Sequence, residues 1–105
     1  MLSEVIRQMR AFYQVIVKDA RISPTHISIY MALLNRWDGV KANPLALHRP
    51  EIMRAAKISA RQTYNKCMNE LKAYGYIRYI PSRGNGVESV IYLIGLNERR
   101  DDNES

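Results

Sequence analysis

The chain is poor in the features that mark secreted and membrane-spanning proteins. Its 105 residues include a single cysteine, Cys67, so no internal disulfide can form. No apolar run approaches the ~18 consecutive residues of a membrane span. Near the N-terminus, Glu4, Arg7 and Arg10 come before the apolar core of a signal peptide could begin. These absences predict a cytoplasmic protein without a membrane partner.

Residues that could support catalysis are also scarce. His26 and His48 lie far from each other and from Cys67 along the chain, without the spacing of metal ligands. The acidic residues of the folded part are scattered, with no pair suited to acid–base catalysis. We expect His26 on a helix surface or partly buried, and Cys67 in the core. The sequence therefore predicts no enzyme, no cofactor and no metal site.

Positive charge is concentrated in one third of the chain. Arg49 to Arg83 contains eight basic and two acidic residues, an excess of six that equals the net charge of the whole protein. Such a basic stripe is typical of proteins with a polyanionic partner. A solvated Lys/Arg surface is the alternative, but the helices and hairpin predicted in the same segment favour nucleic acid.

The first part of the chain has an apolar stripe with a helical period. The stripe from Val5 to Val17 predicts an amphipathic helix over residues 3–18. The helix belongs to an N-terminal extension, residues 1–22. This extension either packs on the following domain or pairs with a second copy in a homodimer. The domain covers 23–97, and the polar tail 98–105 is predicted to be disordered.

The domain is predicted to begin with a helix, a loop and a short third helix. Ser23-Pro24 combines a capping residue with proline at the first helical position, which predicts the start of the second helix. A short strand is expected at Leu45–Leu47. The third helix, PEIMRAAK, begins at Pro50, and Ile58 in the turn after it would fill the gap between two crossing helices.

A fourth helix and a hairpin complete the predicted domain. The fourth helix, residues 60–74, starts with a capping box of Ser59 and Gln62 and ends at Gly75. Two strands follow around a Gly-rich loop over 81–87. Helix, turn, helix and hairpin in this order predict a mainly α fold: a winged helix-turn-helix with a small β-hairpin wing and an N-terminal helical extension.

The fourth helix is predicted to have one face in the core and one toward DNA. On a helical wheel, Tyr64, Cys67, Met68 and Leu71 share one side, with polar residues opposite. Gln and Asn can bond to adenine, and Arg and Lys to guanine or phosphate. Any amphipathic helix has a solvated polar face, which is the alternative. The predicted DNA-binding residues are Lys57 in the turn, Arg61, Gln62, Asn65, Lys66 and Asn69 on the helix, and Arg83 and Asn85 at the wing tip.

Several strings of the sequence also resemble a known group. FYQVIVKDARISPTHISIYMALLNRW and AAKISARQTYNKCMNELKAYGYIRYIPS resemble small bacterial transcriptional regulators, often found with mobile elements, within the winged helix-turn-helix superfamily. The pair Thr63-Tyr64, the pair Lys66-Cys67 and the segment Gly75-Tyr76-Ile77 carry most of the match. The resemblance implies DNA binding without enzymatic activity. One departure is His48, where a capping serine is expected before the third helix.

These observations predict sequence-specific binding of double-stranded DNA by a transcriptional regulator. An accessory protein for replication or mobilisation would bind DNA through the same surfaces. A winged-helix module that binds another protein is a further alternative, and it would have a fourth-helix surface that tolerates substitution. The composition and motifs leave these alternatives open.

Overall fold

Four helices and three short strands make up the fold in a computed structural model that describes residues 2–39, 45–80, 88–94 and 96. The predicted wing tip 81–87 and the tail 98–105 lie outside these residues. The coarse prediction, mainly α with a small antiparallel sheet, is confirmed. In chain order the elements are α1 (Leu2–Ile16), α2 (Pro24–Arg36), β1 (Leu45–His48), α3 (Arg49–Ala56), α4 (Arg61–Ala73), β2 (Ile77–Ile80) and β3 (Glu88–Leu93).

Helix α2 lies at the centre and contacts the other three helices. Its predicted start is confirmed, because Ser23 caps the helix and Pro24 is its first residue. The side chain of His26 completes the cap by accepting the Ser23 backbone N–H at 2.9 Å. Burial extends around more of α2 than a single stripe, as expected for a helix with neighbours on several sides. Its buried residues are His26, Ile29, Tyr30, Ala32, Leu33 and Leu34.

Helix α1 packs on α2 through only part of its apolar stripe. Phe12 is fully buried and stacks on the ring of Tyr30 with 3.9 Å between the ring centroids. The buried Gln8 amide donates to the Tyr30 hydroxyl at 2.8 Å and to the Ile94 carbonyl at 2.7 Å. These polar contacts fix α1 against both α2 and the end of the sheet region. The outer side of the stripe remains in solvent.

The sheet is antiparallel with the strand order β1-β3-β2. The predicted hairpin strands pair with Ile80 opposite Val90, and β1 adds a third strand along the other edge of β3. Ile91 and Leu93 of β3 are buried, so this face of the sheet closes the core beneath the helices. Among the helices of the described residues, none is long and apolar enough to cross a bilayer.

Candidate nucleic-acid interface

The turn between α3 and α4 has a defined shape. The Ser28 hydroxyl of α2 donates to the carbonyl of Ala56, at the end of α3. Lys57 then adopts the left-handed conformation, with φ 63° and ψ 39°. The backbone N–H of Ile58 bonds to the Met53 carbonyl at 2.9 Å, and the Ile58 side chain packs against the core as predicted. The turn therefore presents the Lys57 side chain to solvent.

Helix α4 begins one residue later than the sequence indicated, so the predicted capping box is wrong. The cap position is Ala60 rather than Ser59, and the first helical bond joins the Tyr64 N–H to the Ala60 carbonyl. Ile58 is packed on the core, and the chain reaches helical geometry only at Arg61. Within the described part of the chain, no side chain caps this helix start. The first backbone N–H groups of α4 therefore point outward at the exposed end of the helix.

The inner face of α4 matches the helical-wheel prediction. Tyr64, Cys67, Met68 and Leu71 are all buried. Burial raises the pKa of Tyr64 to about 12. The helix ends at Ala73, two residues before Gly75. The Gly75 φ of 89° allows the N–H groups of Gly75 and Tyr76 to bond to the carbonyls of Lys72 and Leu71 in the last turn.

The outer face of α4 carries the predicted polar residues. From Gln62 to Asn69 it extends about 10 Å along the helix axis, which is comparable to the width of the DNA major groove. Arg83 and Asn85 lie outside the described residues, so the predicted wing-tip contacts have no structural description. The remaining six predicted residues are all exposed: Lys57, Arg61, Gln62, Asn65, Lys66 and Asn69.

The helix pair carries further exposed cations, and its acidic side chains have partners. Arg54 of α3 and Lys72 of α4 are exposed. The Glu51 carboxylate accepts a bond from Arg36 at 3.0 Å. Glu70 lies 2.8 Å from the ring of His26. Both acids of the basic segment thus have a cationic or hydrogen-bonding neighbour, and the surface keeps an excess of positive charge.

Thr63 is an exposed residue of α4 that the sequence reasoning did not include. It lies one position after Gln62, at the margin of the polar face and in the first turn of the helix. Its hydroxyl could donate to a phosphate or a base edge. Its position at the margin between the two faces of α4 follows from the helical period, so the sequence contained the signal.

His26 is buried more deeply than the surface or partly buried position that the sequence predicted. The residue is 4% exposed, and its ring lies close to Cys67 as well as Glu70. His26 and Cys67 are 41 positions apart in the sequence, but the packing of α2 against α4 brings them close together in space. The pair Cys67 and Glu70, three apart on one helix, was visible in the sequence, whereas the approach of His26 depends on tertiary structure.

The outer face of α4 and the adjoining turn thus combine amide groups, cations and the N–H groups of a helix start whose cap residue, Ala60, makes no side-chain bond. Such groups can donate to phosphate oxygens and exchange paired hydrogen bonds with base edges. In comparisons with known proteins, no family model matches the chain, and no curated protein and no solved structure matches it.

Proposed function

We propose that this protein binds duplex DNA sequence-specifically through the outer face of α4 and acts as a transcriptional regulator. The observation that carries the proposal is the exposure of six predicted DNA-binding side chains on α4 and the preceding turn. The opposite face of the same helix is buried, so the polar face has a fixed orientation relative to the fold.

In this proposal α3, the turn at Lys57 and α4 form a helix-turn-helix, and β2 with β3 forms the wing. Support comes from the way α2 fixes both helices. The Ser28 hydroxyl bonds to the end of α3, and His26 bonds to Glu70 of α4. A recognition helix must be rigidly positioned if its side chains are to discriminate bases.

The exposed side chains divide into two groups by chemistry. Gln62, Asn65 and Asn69 can make paired hydrogen bonds to an adenine edge. Lys57, Arg61 and Lys66 supply positive charge for phosphates, and Arg61 or Lys66 can also reach guanine. The uncapped N-terminus of α4 adds backbone N–H donors and a partial positive charge next to these cations.

Selection of bound sequences from random duplex DNA, followed by salt titration with the best site, tests the proposal. Each phosphate contact should contribute about 0.9 log units of affinity per log unit of salt. Replacing Arg61 by Ala should reduce this slope. No enriched sequence and no salt-dependent affinity would refute DNA binding, and would favour a module that binds another protein.

Base reading has its own test. Gln62→Ala and Asn65→Ala should each cost about 1–3 kcal/mol against the best site and relax the preference at one position. Gln14→Ala, an exposed amide on α1, is the matched control and should leave specificity unchanged. Parent-like specificity in both α4 variants would show that other residues read the bases.

The genomic position of the selected sites then separates two roles that share this surface. Sites that overlap promoters support regulation of transcription. Sites clustered at an origin of replication or transfer would instead support an accessory role for a mobile element.

A further inference from the structure

Three side chains with metal-binding atoms converge between α2 and α4, beneath the exposed face of α4. His26 is 4% exposed and Cys67 is 5% exposed, while the Glu70 side chain is 30% exposed. One ligand atom from each residue lies within 4.8 Å of the other two. The partly exposed Glu70 carboxylate leaves a route to solvent, and the other two groups are shielded from solvent.

The three donor atoms favour one class of metal ion. An imidazole nitrogen, a sulfur and a carboxylate oxygen suit zinc and similar divalent transition metals, whereas magnesium and calcium prefer oxygen ligands alone. Cys67 and Glu70 are three residues apart on α4, so both side chains project from one side of the helix. His26 approaches them from α2. Three protein ligands leave a fourth tetrahedral position for water.

We propose that His26, Cys67 and Glu70 bind one divalent ion of the zinc type, which cross-links α2 to α4. Neighbouring ligands in a tetrahedral zinc site lie about 3.3–3.6 Å apart at the usual bond lengths. The widest separation between donor atoms must therefore close by at most about 1.5 Å, and the 2.8 Å between His26 Nε2 and the Glu70 carboxylate must open by about 0.6 Å. The proposal rests on the cluster itself and does not depend on DNA binding.

Protons must be redistributed when the ion binds. The His26 Nδ1 atom accepts the Ser23 backbone N–H, so the imidazole proton lies on Nε2 and is donated to Glu70. An ion at Nε2 replaces this proton, and the neutral ring then carries its proton on Nδ1. The Ser23 Oγ atom, 2.8 Å from Nδ1, can accept it, as an outer partner of a metal-binding histidine commonly does.

Binding of the ion has one cost and one pH consequence. The cost comes from the tautomer change of His26. It removes the bond from the Ser23 N–H to His26, so the cap of α2 then depends on the Ser23 hydroxyl. The imidazole remains neutral, and the only proton released to solvent is that of the Cys67 thiol. Because the ion displaces the thiol proton of Cys67, its apparent affinity rises with pH.

Titration of the reduced full-length chain with Co²⁺ tests the site. We expect one bound ion per chain, a sulfur-to-cobalt charge-transfer band, and loss of that band when Zn²⁺ is added. Cys67→Ala should abolish the band. Glu70→Gln can still accept a bond from His26 but is a poor ligand, so it should weaken Co²⁺ binding at least tenfold. His48→Ala, which removes the exposed histidine, should behave like the parent.

Thermal unfolding supplies the second measurement. Zn²⁺ should raise the unfolding midpoint of the parent and of His48→Ala, and should leave that of Glu70→Gln nearly unchanged. The proposal is overturned if the parent shows no sulfur band, or if Glu70→Gln binds Co²⁺ as tightly as the parent. Loss of binding only in His48→Ala would place the ion at the surface and equally overturn it. Glu70→Gln decides the question even if Cys67→Ala does not fold.

Discussion

Lys57 occupies a conformation that costs stability, and its side chain carries charge to the proposed interface. A residue with a Cβ atom in the left-handed region loses about 1–2 kcal/mol relative to its preferred conformations, and glycine avoids this loss. Lys57→Gly should therefore raise the free energy of unfolding by up to about 1 kcal/mol in urea denaturation. Under the proposed function, the same variant should weaken binding to all DNA sequences alike, because the proposed phosphate contact of Lys57 would be lost.

A matched variant separates the two effects. Lys57→Ala removes the charge but keeps the Cβ atom, so it should lose the same DNA affinity without the gain in stability. Equal stability changes in the Gly and Ala variants would contradict the role of backbone strain. Unchanged DNA affinity in both variants would show that Lys57 does not contact DNA.

Asp19 predicts a pH dependence of stability. Its carboxylate accepts bonds from Arg21 at 2.8 Å and from the buried Tyr76 hydroxyl at 2.7 Å. The Arg21 guanidinium is the largest cause of a folded-state pKa well below the ordinary value. A lowered pKa means that the stabilisation is present above about pH 4, the unfolded value, and is lost as the pH falls toward the folded value.

Asp19→Asn tests this linkage. At pH 7 the variant should lose about 1.5–3 kcal/mol of unfolding free energy, the range for hydrogen bonds to a charged group. The difference from the parent should shrink between pH 4 and pH 3. Glu4→Gln removes an exposed ion pair of α1 and should show little difference at any pH. A constant deficit of Asp19→Asn over this range would exclude the carboxylate charge as its source.

At the level of elements, the parts that local sequence determines were predictable. Ser23 and Pro24 start α2 as expected, and the buried face of α4 follows from its period. The start of α4 was not predictable in the same way. A capping box needs the right residue types, but Ile58 packing on the core determines where helical geometry begins.

The candidate site was predictable to a similar extent. The polar face of α4 is a property of one helix, so its exposure could be derived from the sequence alone. The cluster of His26, Cys67 and Glu70 was missed because it forms only when α2 packs against α4. The spacing of residues in the sequence does not reveal this packing. The burial of His26 has the same origin, since α2 is surrounded by other elements instead of having one solvated side.

The uncapped start of α4 gives a prediction about the helix as a whole. Ala60 has the extended conformation of a cap residue, with φ −93° and ψ 120°. Ala60→Ser should therefore stabilise the protein by about 1 kcal/mol through a new bond to a helix N–H. Ala60→Asp should stabilise it by a similar amount, with help from the helix dipole.

The two cap variants should differ in DNA binding. Serine is neutral, so Ala60→Ser should retain nearly parental affinity, whereas the aspartate charge should repel phosphates and weaken binding most at low salt. Urea denaturation and DNA titration at two salt concentrations measure both properties. Equal affinities for the Ser and Asp variants would show that the N-terminus of α4 lies away from the DNA backbone.

At the level of the whole molecule, the outer side of α1 is the most apolar part of the described surface. Four large apolar side chains are exposed among the described residues. Ile6 and Tyr13 lie on α1, and Val17 follows its last residue directly. Val17 is 81% exposed. Beside them, Val5 and Met9 line a groove with Met31 and Leu34 of α2. Contiguous apolar surface of this kind is typical of an interaction site.

A second copy of the chain would suit this surface under the proposed function. Two-fold pairing buries the same patch on both copies, and it would give two α4 helices for successive major grooves. We therefore predict a dimer at micromolar concentration in sedimentation experiments. Ile6→Asp combined with Tyr13→Asp should give monomers and should weaken binding to a two-half-site DNA more than to a single half-site. Phe12 is fully buried against Tyr30, so its replacement would disrupt the core instead of testing the interface.

The control for the dimer prediction is a substitution on the other side of α1. Gln14→Asp places a negative charge on the exposed polar side of α1 and should leave the dimer intact. The urea midpoints of all variants should be compared, because an unfolded variant would also fail to pair. A folded parent chain that sediments as a monomer at micromolar concentration would end the dimer prediction. Helix α1 would then serve only to complete the core through Phe12 and Gln8, and each protein would read a single half-site.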